Sequence, residues 1–228
     1  MKRILTIIAV VAIGLVFFTS CETSIEENGV GKHKGHEYVD LGLPSGLKWA
    51  TCNIGAESPE EYGDYFAWGE VETKEYYAWS RYKYGTESNQ LTKYCNSSDY
   101  GKDGFIDDKT VLELKDDAAT ANWGGKWRMP TLEEQEELRD NCTWTQTLQN
   151  GVDGYKVTGP NGNSIFLPFA GFMDGGVLYL AGELGGYWGS SLGTGIPNLA
   201  GIMYFISDLV DVERLNRYYG QSVRPVYQ

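Results

Sequence analysis

Gly125-Lys126-Trp127-Arg128-Met129-Pro130-Thr131-Leu132-Glu133-Glu134 is the stretch that decides the fold. Its first half reads as extended backbone carrying an aromatic and two basic residues. Pro130 ends that strand, because it has no N–H to give to a sheet. Thr131 is a good N-cap, and Glu134 three residues on completes a capping box. Acidic residues in the first turns suit the helix dipole. Leu132, Gln135 and Leu138, with Cys142, give the helix a thin inward face. A strand handed directly to a capped helix sets the pattern for the rest of the chain.

Outward from this junction, short elements alternate. Asp116-Asp117 opens a shorter helix over Ala118, Ala119 and Ala121, and Gly124-Gly125 stops it. His36 to Leu41 and Leu47 to Cys52 read as strands around the turn Leu43-Pro44-Ser45-Gly46. Tyr155 to Thr158 and Ser164 to Leu167 flank Gly159-Pro160-Asn161-Gly162-Asn163, a second hairpin with Asn-Gly at its turn. Further strands are expected at Gly186 to Ser190, Ile202 to Ile206 and Ser222 to Val226. Two helices among short antiparallel strands make an α+β domain.

Residues 56 to 110 are the least regular part and are crowded with aromatic side chains. So long a loop in a compact domain is unusual unless it is functional. Sugar rings stack their apolar faces on Trp and Tyr, and their hydroxyls need nearby carboxylates or amides. Trp79, Tyr82 and Tyr84 with Glu87 and Asn89 offer both, as a ligand-binding candidate. The competing reading is a second core beneath the loop, where large aromatics usually pack. Tyr218-Tyr219 is weighed in the same way. Asp99, Asp103 and Asp107 fit three places of a calcium loop, but Thr110 stands where the bidentate carboxylate belongs, and a polar surface turn is the alternative. No other cofactor is expected. Arg128 and Arg224 are read as structural guanidinium groups held by Asp or Glu, with a ligand carboxylate as the other reading.

Composition narrows the classes. The net charge is −12, which argues against a nucleic-acid partner. The chain has two histidines, His33 and His36, so most histidine-based catalysis and zinc chemistry is excluded. Met1-Lys2-Arg3, the apolar run from Ile4 to Phe18 and Thr19-Ser20-Cys21 form a secretory leader. The cysteine directly after the small residues resembles a bacterial lipoprotein signal. This implies a signal peptide over 1–20, acylation of Cys21, and a partner in the lipid membrane through its acyl chains. Residues 21–34 are polar and read as the lipidated cysteine and a flexible tether, leaving 35–228 as the folded domain. Cys52, Cys95 and Cys142 give no redox or metal spacing and read as unpaired core cysteines, though their pairing is open in the sequence.

Several segments together carry a family resemblance. They are Tyr38 to Asn53, Asp64-Tyr65-Phe66-Ala67-Trp68-Gly69-Glu70, the junction quoted first, Gly186-Tyr187-Trp188-Gly189-Ser190-Ser191, and Gly220 to Val226. In this order they resemble the Fibrobacter succinogenes major paralogous domain family of Bacteroidetes lipoproteins, over about residues 36 to 227. More distantly the chain is similar to formylglycine-generating enzymes and to bacterial adhesin C-terminal domains. The resemblance implies a C-type-lectin-like fold with paired terminal strands, two helices and a long loop region. It also implies a cell-envelope protein, lipid-anchored in the outer membrane and exposed at the surface. The copper-binding cysteines of the enzymes are missing after Cys142, so their activity is not implied. The Glu-Pro-Asn, Gln-Pro-Asp and Trp-Asn-Asp triplets of calcium-dependent sugar binding are missing too. Gly189 stands where the family commonly carries Ser.

The functional expectation is a non-catalytic binding or adhesion module for glycans or host protein. The alternative is a structural or accessory component of a surface assembly. A carboxylate-based glycan-acting enzyme comes third, since no motif marks a catalytic pair.

Overall fold

The computed structural model describes residues 29–228. The leader and Cys21 lie outside them. The chain is a sheet-rich α+β fold, antiparallel wherever two strands pair along their length. In order it runs β1 (Val30–His33), β2 (His36–Asp40), β3 (Lys48–Ala50), α1 (Ala118–Trp123) and α2 (Leu132–Asn141). Then come β4 (Thr143–Gln149), β5 (Val152–Thr158), β6 (Ser164–Pro168), β7 (Phe172–Asp174) and β8 (Val177–Tyr179). β9 (Gly185–Leu192), β10 (Leu199–Ile206), β11 (Leu209–Asn216) and β12 (Val226–Tyr227) complete it. The sheets are β1-β2-β3-β12, β4-β5-β6, β11-β10-β9 and the hairpin β7-β8.

The opening stretch folds as its chemistry dictates. Arg128 exchanges both backbone hydrogen bonds with Val226, so the strand expected before Pro130 is reduced to a single bridge to the C-terminal strand. Thr131 Oγ1 accepts from the Glu134 amide, and Glu134 Oε2 accepts from the Thr131 amide at 2.8 Å. The same Glu134 carboxylate takes a bidentate pair from Arg128, 2.6 Å on each oxygen. One carboxylate therefore caps α2 and anchors the extended segment that feeds it. α1 is capped similarly. Asp117 Oδ1 accepts from the Thr120 amide, and its Oδ2 takes the Met129 amide, tying both helix starts together. Gly124, at φ 66°, ends α1.

Two corrections concern the chain ends. Val30–His33, assigned above to the tether, is strand β1 and pairs with β2 from Val30↔Val39 to His33↔His36. Its composition is polar, and its buried position is Gly31, where a Cβ would meet the Tyr38 ring at 2.4 Å. Arg224 is not held by a carboxylate. Its guanidinium is buried and donates to the carbonyls of Ala50 and Thr51 and to Asn53 Oδ1. Cys52, Cys95 and Cys142 are all free thiols. Burial pushes the Cys142 thiol up to about 11.

Gly189 sits under Gln135. A Cβ there would lie 2.9 Å from Gln135 Oε1, and the Gly189 carbonyl takes the Trp68 indole N–H at 2.8 Å. A side chain at this position would require the Gln135 amide to shift.

Thr131→Ala removes one arm of the capping box and should lower stability by about 1 kcal/mol. Glu134→Ala should cost more, because it also strips Arg128 of its partner. Urea unfolding of both variants, followed by tryptophan fluorescence, checks the order.

Candidate binding groove

The sheet β9-β10-β11 divides the molecule. Met203 lies opposite Val212, and Phe205 opposite Val210. These four pack with Leu138 of α2 in one core. On the other face, Ala200 is opposite Leu215 and Leu192, and Ile202 is opposite Glu213 and Trp188. The aromatic loop covers one end of that face: Phe66, Trp68, Tyr82, Tyr84 and Tyr94 join Trp188, Ala200 and Ile202 in a second core. Toward Tyr204 the cover stops, and a groove of about 380 Å³ opens.

Phe172 of β7 and Tyr219 line this groove along with Ile202, Tyr204 and Leu215 of the sheet. Glu213 and Gln221 also line it. Gln221 is held by reciprocal backbone bonds to Phe66, each 3.0 Å. Its side chain occupies space that Gly186 leaves free, since a Cβ at Gly186 would lie 2.2 Å from Gln221 Oε1. That oxygen is buried without a protein partner.

An aromatic series runs through the groove wall to the surface. Tyr179 stacks on Phe172 at 5.7 Å, Phe172 meets Tyr219 edge-on at 5.6 Å, and Tyr219 lies 4.2 Å from Tyr218. Tyr218 then contacts Trp79 at 5.3 Å, and Trp79 meets Tyr82 at 5.5 Å. β7 is anchored by two bonds between Met173 and Gly220, and the turn Gly175-Gly176 by two between Tyr77 and Gly175. The far strand projects. Val177, Leu178, Tyr179 and Leu180 are consecutive and between 40% and 52% exposed. Val177 and Tyr179 share one face of β8 and Leu178 takes the other, so the hairpin exposes apolar surface on both sides.

The loop candidates divide. Tyr82 and Tyr84 are core residues, 5% and 8% exposed. The expectation that they face a ligand is corrected. Their hydroxyls find buried partners, Trp68 O for Tyr82 and Asp116 Oδ1 for Tyr84. A large ring with a satisfied hydroxyl packs stably in a core. Trp79 is half-buried against that core and ends the aromatic series. Glu87 and Asn89 are exposed on a turn closed by Gln90 N–H to Glu87 O. Neither lines the groove.

The calcium candidates do not converge. The Asp107 carboxylate is taken up by the backbone amides of Tyr94, Cys95 and Lys109. Asp99 and Asp103 are exposed, and among the described residues no three His, Cys, Asp or Glu side chains gather as a metal site.

The strongest electrostatic cluster lies under the aromatic loop. Asp116 accepts from the hydroxyls of Tyr84 and Tyr94 and from Lys93. Burial alone raises its carboxyl, but these donors outweigh burial and hold it at about 2. Lys93 and Lys109 both bind Glu113, and their hydrogen bonds depress Glu113 to about 2. The cluster serves the loop's packing, with each charge already engaged.

Sequence reading misses most of the groove because its residues come from five separate segments. The neighbouring hairpin is legible as Gly175-Gly176-Val177-Leu178-Tyr179-Leu180, an apolar run after a two-glycine turn that lies beside the groove and does not line it. No family model, curated protein or solved structure matches this chain.

Tyr82→Ala should cost about 3–5 kcal/mol, as for a truncated core aromatic. Differential scanning calorimetry of the variant beside wild type reads the loss. The Asp116 contribution should be present above the ordinary carboxyl range near pH 4 and vanish as pH falls through about 2. The stability gap between wild type and Asp116→Asn should therefore narrow from pH 5 to pH 2, measured by urea melts at each pH.

Proposed function

We propose that this chain is a non-catalytic binding module of the cell envelope, and that the groove beside β7-β8 seats its ligand. The observation that carries the reading is the half-covered sheet face. One end of it is sealed by the aromatic loop, and the other is open and walled by Phe172, Tyr204 and Tyr219. Concave, mostly apolar sites with a few placed polar groups are the usual form of a ligand site. The resemblance to the major paralogous domain lipoproteins supports the same reading. It brings a C-type-lectin-like scaffold, acylation at Cys21 and an outer-membrane location into the proposal. The half of the resemblance that concerns the chain ends has a counterpart in β12, which lies beside β3 of the N-terminal sheet.

A second reading, an accessory component of a surface assembly, is favoured by the exposed run Val177 to Leu180. A projecting apolar hairpin fits a protein partner better than a sugar.

Tyr219→Ala and Tyr204→Ala should each weaken ligand retention about thirtyfold, the scale of a binding hot spot. The assay uses the full chain, extracted in detergent, on insoluble polysaccharides and on immobilised extracellular-matrix proteins. Full retention by both variants, with loss in Leu178→Ser, would transfer function from the groove to the hairpin.

A further inference from the structure

The hairpin β7-β8 has one closed edge and one open edge. On the closed side, Met173 exchanges both backbone bonds with Gly220, and Gly175 exchanges both with Tyr77. Met173 stands opposite Leu178 across the hairpin. In an antiparallel pair, two opposed residues either bond to each other or both point away. Met173 points away, so the N–H and C=O of Leu178 point outward on the far side of β8. Among the described residues no backbone group outside the hairpin takes them. Gly176 to Ala181 are all exposed, and the run from Gly175 to Gly182 contains no charged residue and no proline. Sheets ordinarily guard such an edge with a lysine, a proline, a bulge or a covering segment.

We propose that this edge pairs with the same edge of a second copy of the chain, antiparallel about a two-fold axis at Leu178. The inference rests on the second reading above, in which the hairpin meets protein, and is independent of the groove. Each Leu178 donates its N–H to the other's carbonyl and accepts in return. Val177 of each copy comes beside Tyr179 of the other, and Gly176 beside Leu180. Alternation along β8 sets Leu178 on one face and Val177 and Tyr179 on the other, so the joined strands cover apolar side chains on both faces. The charge pattern selects this occupant. Asp174 and Glu183 bound the neutral run. The two-fold sets Asp174 against Gly182 and Glu183 against Met173, so no acid faces an acid. A basic peptide would find no carboxylate along the edge itself. A two-fold contact uses the same surface on both copies and closes at two. So short a strand buries little area, which makes the dimer weak and reversible. The net charge of −12 on each chain opposes approach, so salt favours pairing by screening.

The test is sedimentation equilibrium of the full chain in density-matched detergent, over roughly 1 to 300 μM. A monomer–dimer equilibrium is expected, and it tightens as salt is raised. Leu178→Pro deletes the outward N–H at a position that gives nothing to β7, and Val177→Lys sets a charge on the edge. Each should weaken dimerisation about tenfold or more, with the melting temperature little changed. In hydrogen exchange, the Leu178 amide should gain protection as wild-type concentration rises and stay unprotected in Val177→Lys. If Leu178→Pro fails to fold, Val177→Lys and the amide exchange decide the matter alone. A wild-type chain that stays monomeric across the range overturns the proposal, and so does a dimer that Val177→Lys leaves intact. If the chain is monomeric and Leu178→Ser still loses retention on matrix protein, the hairpin meets a different protein: the second reading stands and this inference falls.

Discussion

The C-terminal segment from Gly220 to Tyr227 is the constraint on which the other elements depend. Each of its residues is committed to a different part of the chain. Gly220 pairs with Met173 of β7, and Gln221 with Phe66 of the aromatic loop. Ser222 accepts from Trp188 of β9, and Val223 from Ile54. Pro225 accepts from Ala50, and Val226 exchanges bonds with Arg128 just before α2. Three sheets and the loop are thus fastened to one strip of backbone. The groove inherits its floor from this strip, since Gln221 occupies its place because its neighbours are fixed on both sides.

Two buried guanidinium groups secure the same region without carboxylates. Arg224 is 1% exposed and held by two carbonyls and Asn53. Arg217 is fully buried, donates to the Lys93 and Tyr94 carbonyls, and lies 5.2 Å from the ring centres of Trp68 and Tyr82. Burial pushes both groups down from the ordinary arginine range. Arginine remains charged under such pressure where lysine would lose its proton. Carbonyl dipoles and ring faces replace a counter-ion, which gives each cation a fixed direction in a way a mobile carboxylate would not.

Legibility in the sequence follows locality. The capping box at Thr131 and Glu134, the Asp117 cap and the β2-β3 and β5-β6 hairpins are set within a few residues each, and they stand where the pattern puts them. β4 and β11 were also local, yet harder to see. β4 is Thr-rich and one face is open to water, and its Asn150-Gly151 turn, with φ 48° and 85°, is a stronger signal than its side chains. β11 alternates only weakly because it is an edge strand. The expected strand over Ser222 to Val226 shrinks to Val226–Tyr227, since its residues bond singly to different partners instead of to one neighbour. The groove was not legible because it joins β7, β10, β11 and Gln221, and no window of sequence contains them together. In the aromatic loop, composition revealed that rings gather but not which way they face. Hydroxyl partners such as Asp116, 32 residues from Tyr84, decide that.

The fastening of the chain by its last residues also orders events in time. Arg224 reaches Asn53 across 171 positions, and Ser222 reaches Tyr62 across 160. Contacts of such separation form late and slow the search for the native state. During synthesis, α2 and the inner hairpins have what they need once their own segments emerge. The strip from Gly220 to Val226 follows in the chain every segment that it fastens, so these contacts close last. Until they close, three sheets and the aromatic loop lack the strip of backbone that fixes them to one another.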